Sequence, residues 1–245
     1  RIDSSLVEKL NREAAGLEAR KPKAPAQNPA GGGTGDVPDL NGFIYVPKAR
    51  IYLAKKRSLN NESWDSAIRQ IYEKGIDIEG KRAEMPTAFE FMTGLIYVLD
   101  NENIQDLTED ERAEFLDDIL KKGAYRGNHL NARFIEGSGH NALDLEFAGF
   151  SANGKLAWRK EPLEPCLSEE CYADIKRINS QGLFTTRAVR QEYIQGENAY
   201  FWVPFNNFVA RFGADSGRAS LGCGRAAGGS NSSLGVRFVI RPKGD

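Results

Sequence analysis

The stretch Tyr200–Asp245, YFWVPFNNFVARFGADSGRASLGCGRAAGGSNSSLGVRFVIRPKGD, interleaves two kinds of position. One kind is a frame: Phe201-Trp202, Pro204, Val209-Ala210-Arg211-Phe212, Ala214, Ser216, Ala219, Leu221, Cys223, Arg225 and Ser233-Leu234-Gly235-Val236-Arg237. The other kind has no evident structural role and comprises Gly213, Asp215, Gly217, Arg218, Ser220, Gly222, Gly224, Ala226, Gly228, Gly229 and Asn231. Much of this second set falls at every other position, and alternate residues of an extended chain share a face. A fixed frame that carries an interchangeable face describes a display surface, not a catalytic centre.

Around the frame, Ala199 to Val203, Val209 to Phe212 and Leu234 to Ile240 read as strands, with Val236, Phe238 and Ile240 on one face. Phe205 and Phe208 flank the turn-prone pair Asn206-Asn207, which places aromatic anchors on a loop. Arg211 and Arg237 lie in strand-like runs, where a charge must be paired or reach the surface. Either one is placed to hydrogen-bond loop carbonyls from a sheet edge, with a substrate-anion role the less favoured alternative.

The upstream half is helical in character. Trp64, Ala67, Ile68, Ile71 and Tyr72 recur at the spacing of an amphipathic helix, which Gly75 stops. A second helix is predicted from about Met85, with Pro86 in its first turn and a stripe of Met85, Phe89, Met92, Ile96 and Leu99. Thr108-x-x-Glu111 is a capping box for a third, whose apolar face is Phe115, Leu116, Ile119 and Leu120. Its acidic residues, Asp106 through Asp118, read as a solvated face. Short strands are expected at Ile44-Tyr45-Val46 and Ile51-Tyr52-Leu53, another at Leu143, Leu145 and Phe147, and a loop from Glu161 to Cys171. Helices followed by strands imply an α+β fold with an antiparallel sheet.

Ahead of this domain, 4–19 carries Leu6, Leu10, Ala14 and Leu17 at helical spacing, and 20–41 holds Pro22, Pro25, Pro29, Pro38 and Gly31-Gly32-Gly33. The division expected is a helix or tail over 1–19, a flexible linker over 20–41 and one folded domain over 42–245. The first segment is either a docking element for a partner or a loosely ordered tail.

Composition excludes several classes of function. The net charge of −1 gives no field toward nucleic acid or an anionic membrane, and no apolar run approaches the roughly 20 residues of a membrane span. Three cysteines are too few for a disulfide scaffold; Cys166 and Cys171 are candidates to pair, with free buried thiols the default. His129 and His140 sit in no zinc pattern, so neither a metal nor a cofactor is expected. With Asp144 nearby they offer the elements of a Ser-His-Asp arrangement, but no G-x-S-x-G elbow occurs. Gly222-x-Gly224 lacks the lysine and following helix of a phosphate loop. Localisation is left between the cytoplasm and display on a cell or virus surface.

The segments Trp202-Val203-Pro204, Val209-Ala210-Arg211-Phe212, Ala219, Leu221, Cys223 and Ser233-Leu234-Gly235-Val236-Arg237 resemble the C-terminal variable region of archaeal diversity-generating retroelement proteins. Tyr45-Val46-Pro47, the Trp64 helix, Met85 through Phe91, Asn131-Ala132-Arg133-Phe134 and Gln181-Gly182-Leu183 are also similar, so the resemblance covers 43–240. It implies a C-type-lectin-type fold of the formylglycine-generating-enzyme branch. It further implies a ligand-binding protein without catalysis, whose surface is varied by mutagenic reverse transcription over about 200–237. The ligand is then a protein or cell-surface molecule. The display role carries over to Val203, Phe205, Asn206, Asn207, Phe208, Gly213, Asp215, Gly217, Arg218, Ser220, Gly222, Gly224, Ala226, Gly228, Gly229 and Asn231. Many of these residues are small, and at about 25 cal/mol per Å² such a patch offers little apolar burial.

Two alternatives share that fold. A formylglycine-generating oxidase needs a reactive cysteine pair in the C-terminal core, where only Cys223 lies. A calcium-dependent sugar lectin needs an E-P-N or Q-P-D loop and a W-N-D strand, which this chain lacks.

Overall fold

A computed structural model of the chain describes residues 40–242. The expected N-terminal helix and most of the linker therefore lie outside the described residues. The domain is mixed α+β and dominated by strand. In chain order it comprises β1 (Phe43–Val46), β2 (Ile51–Ala54), α1 (Trp64–Ile68, continued by a π-helical stretch Arg69–Gly75), β3 (Asp77–Ile78), β4 (Lys81–Arg82), α2 (Ala88–Asp100), α3 (Glu109–Leu120), β5 (Arg126–Glu136), β6 (Leu143–Phe150), β7 (Leu156–Pro162), β8 (Cys171–Asp174), β9 (Asn198–Trp202), β10 (Phe208–Ala214), β11 (Ala219–Arg225), β12 (Leu234–Gly235) and β13 (Val239–Ile240).

The main sheet runs β7-β6-β5-β10-β11-β9-β8, with β12 also on β5. Its pairs are antiparallel except β11 with β9 and β12 with β5. A small sheet, β1-β2-β13, joins the first and last strands through Val239↔Leu53 and Ile240↔Tyr52. The larger core packs Phe91, Met92, Leu95 and Val98 of α2 and Phe115, Ile119 and Leu120 of α3 with Phe134, Phe201, Phe212 and Leu221 of the sheet. A second core gathers Trp64, Ile68, Ile71, Tyr72, Met85, Val236, Phe238 and Ile240.

Local chemistry places the helices. Thr87 and Thr108 each close a capping box, with Glu90 and Glu111 respectively. The Thr87 box overrides Pro86 as the start of α2, so the buried stripe is Ala88, Phe91, Met92, Leu95 and Val98. Phe89, Ile96 and Leu99 are only half-buried. The helix expected from Trp64 forms and buries its whole predicted stripe, but it widens to π-helix after Ile68 and ends at Gly75, whose φ is +80°. No single residue explains the widening.

The sheet holds more strand than alternation reveals. β5 carries no alternating signal because Asn128, His129 and Asn131 are buried within it. Asn131 continues the β5–β6 ladder with its side chain: Nδ2 donates to the Ala148 carbonyl at 2.7 Å and Oδ1 accepts from the Ala148 N–H at 2.8 Å. The loop expected over Glu161 to Cys171 is shorter, because β7 runs to Pro162 and Cys171 opens β8. The run Leu234 to Ile240 is split into β12 and β13 around Val236, which exchanges two hydrogen bonds with Ser58. Val236, Phe238 and Ile240 do share one core.

The acidic face of α3 is not uniformly solvated. Asp118 turns inward and receives Arg57 at 2.9 Å and the guanidinium of Arg237, whose side chain is 1% exposed. Arg57 also donates to the Ser233 carbonyl at 2.5 Å, and Arg237 to the carbonyls of Ala54 and Lys55. Arg237 Cζ lies 4.6 Å from the Phe115 ring centre. This clasp ties α3 to the chain after β2 and to the segment between β12 and β13. Removing the carboxylate leaves a buried cation uncompensated, so Asp118→Ala is expected to cost about 3 kcal/mol in denaturant unfolding of the full chain. A loss below about 1 kcal/mol contradicts the clasp.

Candidate functional site

β10 and β11 form a hairpin that separates the interleaved residues by face. The pairs Phe212↔Leu221 and Ala214↔Ala219 turn toward the main core, together with Ala210 and Cys223. Gly213↔Ser220 and Arg211↔Gly222 alternate with them, and so fall on the opposite face. The hairpin turn is set by Asp215, whose Oδ1 accepts from the N–H groups of Gly217 (2.8 Å) and Arg218 (3.0 Å). Asp215 thus has a structural role that the sequence does not show.

Neighbouring strands complete the outer face. β9 sets Tyr200 beside Ser220 and Trp202 beside Gly222, and β8 sets Tyr172 beside Tyr200. The Tyr172 and Tyr200 rings meet edge-on at 5.2 Å, and Tyr200 and Trp202 at 5.0 Å. The Arg218 guanidinium lies 3.8 Å from the Tyr200 ring centre and Arg225 lies 5.9 Å from that of Trp202. A Cβ at Gly222 would meet Arg225 Nε at 3.5 Å, an ordinary contact, so Arg225 folds across this glycine. Phe205, 50% exposed, continues the strip over Gly224 and meets Phe208 edge-on at 6.4 Å. Neither Arg218 nor Arg225 forms an ion pair among the described residues. Trp, Tyr and Arg dominate the energetics of protein interfaces, and here they line one face of a sheet.

The sixteen candidate display positions divide clearly. Phe205, Asn206, Asn207, Gly217, Ala226, Gly228, Gly229 and Asn231 are exposed, while Val203, Phe208, Asp215, Arg218, Ser220 and Gly224 are half-buried. Only Gly213 and Gly222 are buried, whereas 13 of the 18 frame residues are. Asn206 and Asn207 form the expected turn, with Asn207 at φ +66°. Gly213 departs from the display reading. A Cβ there would lie 2.7 Å from the Arg126 carbonyl oxygen and 3.2 Å from Gly127 Cα, because Gly213 of β10 lies directly opposite Gly127 of β5. It belongs to the frame.

Tyr172 and Tyr200 carry no signal of a surface role in the sequence, and Trp202 and Arg225 sit there among the frame residues. The alternation Cys171 buried, Tyr172 half-buried, Ala173 buried is the available signal for β8. Arg211 bonds loop carbonyls as expected, its Nη2 donating to those of Ala226 (2.9 Å) and Gly229 (2.8 Å), but it does so from β10 inside the sheet and not from an edge.

The catalytic combinations open on sequence do not assemble. His140 Nε2 contacts Ser168 Oγ at 3.1 Å, Asp144 accepts from the Ser138 N–H, and His129 Nε2 meets the Glu62 carbonyl at 3.0 Å. All three cysteines are free, so Cys166 and Cys171 do not pair. Burial pushes the Cys166 thiol up to about 11 and raises Cys223 too, the reverse of what a reactive thiolate needs. Among the described residues no group of three or more His, Cys, Asp or Glu side chains is placed to hold a metal ion, and no helix is long and apolar enough to cross a membrane. Family models, curated proteins and solved structures were all compared with the chain, and none matches it.

Two outcomes check this geometry. Gly213→Ser is expected to destabilise the domain by about 1–3 kcal/mol through overpacking, while Gly228→Ser, where a Cβ meets open space, leaves it within about 0.5 kcal/mol. Equal effects at the two sites in thermal unfolding would refute the assignment of Gly213. His129, beside Arg211 across β5 and β10, is held neutral by burial, which brings its pKa down to about 4 from 6.5. The unfolded chain binds this proton first, so stability is full above pH 6.5 and falls as pH drops toward 4. The loss attributable to His129 is on the order of 3 kcal/mol. Denaturant titrations at about pH 7 and about pH 4.5 should show it, and His129→Gln should flatten it.

Proposed function

We propose that this chain is a diversified ligand-binding module, receptor-like and without catalysis. Its scaffold is a C-type-lectin-type fold of the formylglycine-generating-enzyme branch, and its C-terminal surface is varied by mutagenic reverse transcription. The observation that carries the reading is the partition of the hairpin and its loops: fourteen of sixteen interleaved positions lie wholly or partly at the surface, while most residues between them fill the core. A position whose side chain touches little of its own protein is free to change without unfolding it. The pairing of β13 with β2, which brings both ends of the domain into one small sheet, is in keeping with this type of fold.

The binding surface on this reading is the strip Tyr200, Trp202, Phe205, Arg218 and Arg225 with the adjoining loop 226–231. It lies along one face of a sheet formed by β8, β9 and β11, which suits a protein or cell-surface ligand better than a small molecule held in a cleft. Nucleic acid is a poorer fit. The rings meet edge-on and Arg218 covers Tyr200, so no run of open ring faces is offered to successive bases. Partner docking through 1–19 remains a separate part of the proposal.

Sequencing of sibling copies of the gene tests the reading. Differences are expected to concentrate at the surface positions between 203 and 231 and to spare Gly213, Phe212, Leu221 and Cys223. Differences scattered evenly along 43–240 would overturn it. In a binding assay with a ligand selected from such a panel, Arg218→Ala is expected to weaken affinity by at least about 1 kcal/mol, with thermal stability unchanged within a degree or two.

A further inference from the structure

A cleft of about 580 Å³ opens between the chain after β2 and the C-terminal half of α3, and none of the aromatic-strip residues lines it. Seven cationic side chains and three carboxylates line it, an excess of four positive charges. Glu111, 2.9 Å from Lys55, lowers the excess to three. The C-terminus of α3 adds only about half a negative charge.

The fold uses part of this charge. Arg126 is committed to the end of α3, donating to the carbonyls of Asp118 (2.7 Å) and Ala124 (3.0 Å) and to those of Asp117 and Lys121. Lys56 meets Glu114 at 3.2 Å and Lys121 meets Asp117 at 2.6 Å, both in exposed pairs. What remains is short of counter-charge. Arg57 and Arg237 share the single carboxylate of Asp118, and Arg126 approaches the same group at 3.9 Å. Arg237 Nε has no hydrogen-bond partner among the described residues, and burial lowers the guanidinium to about 10. Lys122 makes no ion pair among the described residues and rests 5.4 Å over the Tyr193 ring. Several cations gathered in a concave wall, with too few carboxylates, raise the local concentration of anions.

We propose that this cleft binds a small phosphate-bearing polyanion with the charge of a diphosphate. The rim lysines Lys56, Lys121 and Lys122 contact the phosphate oxygens, and Arg57 and Arg237 supply the field from the floor. An anion of charge near −3 balances the excess. The volume admits either free pyrophosphate or the diphosphate of a nucleotide. This inference is independent of the display surface.

The test uses the full chain. Sodium pyrophosphate, compared with sodium chloride at equal ionic strength, is expected to raise the melting temperature by a few degrees at saturation. Isothermal titration should give one-to-one binding that weakens about tenfold in a Lys121→Gln, Lys122→Gln double variant. Both side chains are at the surface, so the unliganded variant should melt with the wild type; if it does not, Lys122→Glu alone serves. Tighter binding of a nucleoside diphosphate than of pyrophosphate assigns the phosphate to a nucleotide, and the reverse order assigns it to the free anion. No stabilisation beyond that of chloride, or equal binding by wild type and variant, overturns the proposal.

Discussion

Asp118 holds two guanidiniums that come from distant parts of the chain, Arg57 after β2 and Arg237 between β12 and β13. The rest of the domain depends on that clasp. Arg237 is almost wholly buried, and a buried cation is tolerated only when it is paired and hydrogen-bonded. Its bonds to the carbonyls of Ala54 and Lys55 and the bond of Arg57 to Ser233 fix where the last segment crosses the first. From that crossing, Val236 is positioned against Ser58 and β13 against β2. The helix, the small sheet and the C-terminal run are therefore registered by one carboxylate.

With the C-terminal run fixed, β10 and β11 form a panel paired on both sides, to β5 and to β9. Their inner residues, Phe212, Ala214, Ala219, Leu221 and Cys223, pack against α2 and the rest of the core, and Phe91 meets Phe212 at 5.4 Å. Their outer residues meet mostly solvent, one another, or the aromatic side chains of β8 and β9. An interface mounted on strands loses little conformational entropy on binding, because its backbone is already ordered. The small residues at Gly217, Gly228 and Gly229 contribute almost no apolar area, so on the proposed reading recognition by this copy falls on Tyr200, Trp202, Phe205, Arg218 and Arg225.

Much of this is legible in the sequence because it is local. The Thr108–Glu111 capping box, the Trp64 stripe, the Asn206-Asn207 turn and the loop-holding role of Arg211 each depend on neighbours or on a single energetic rule. What escapes depends on distant partners. β5 hides its strand character because Asn128, His129 and Asn131 are buried polar residues, and the partners of His129 and Asn131 lie far away in the chain. Asp118 looks like one of seven similar acids until Arg57 and Arg237 are brought to it. Gly213 reads as an idle gap until β5 is laid against it, and only then does its missing side chain become a requirement. Tyr172 joins the aromatic strip through β8–β9 pairing, nearly thirty residues from Tyr200 in sequence. The interleaved pattern separates frame from face correctly at most positions because strand alternation is itself a local rule. It fails at Gly213, where a neighbouring backbone intrudes.

On the proposed reading, fold and display are carried by different residues of the same hairpin. The decisive measurement is saturation substitution of every position from 200 to 240, read out for folded protein by protease resistance on a cell surface. Broad tolerance is expected at Phe205, Asn206, Gly217, Arg218, Ala226, Gly228, Gly229 and Asn231. Intolerance is expected at Phe201, Phe212, Gly213, Leu221, Cys223 and Arg237. Tolerance that ignores this division, above all free substitution at Gly213 or collapse of the fold on changing Arg218, would contradict the separation of the two roles.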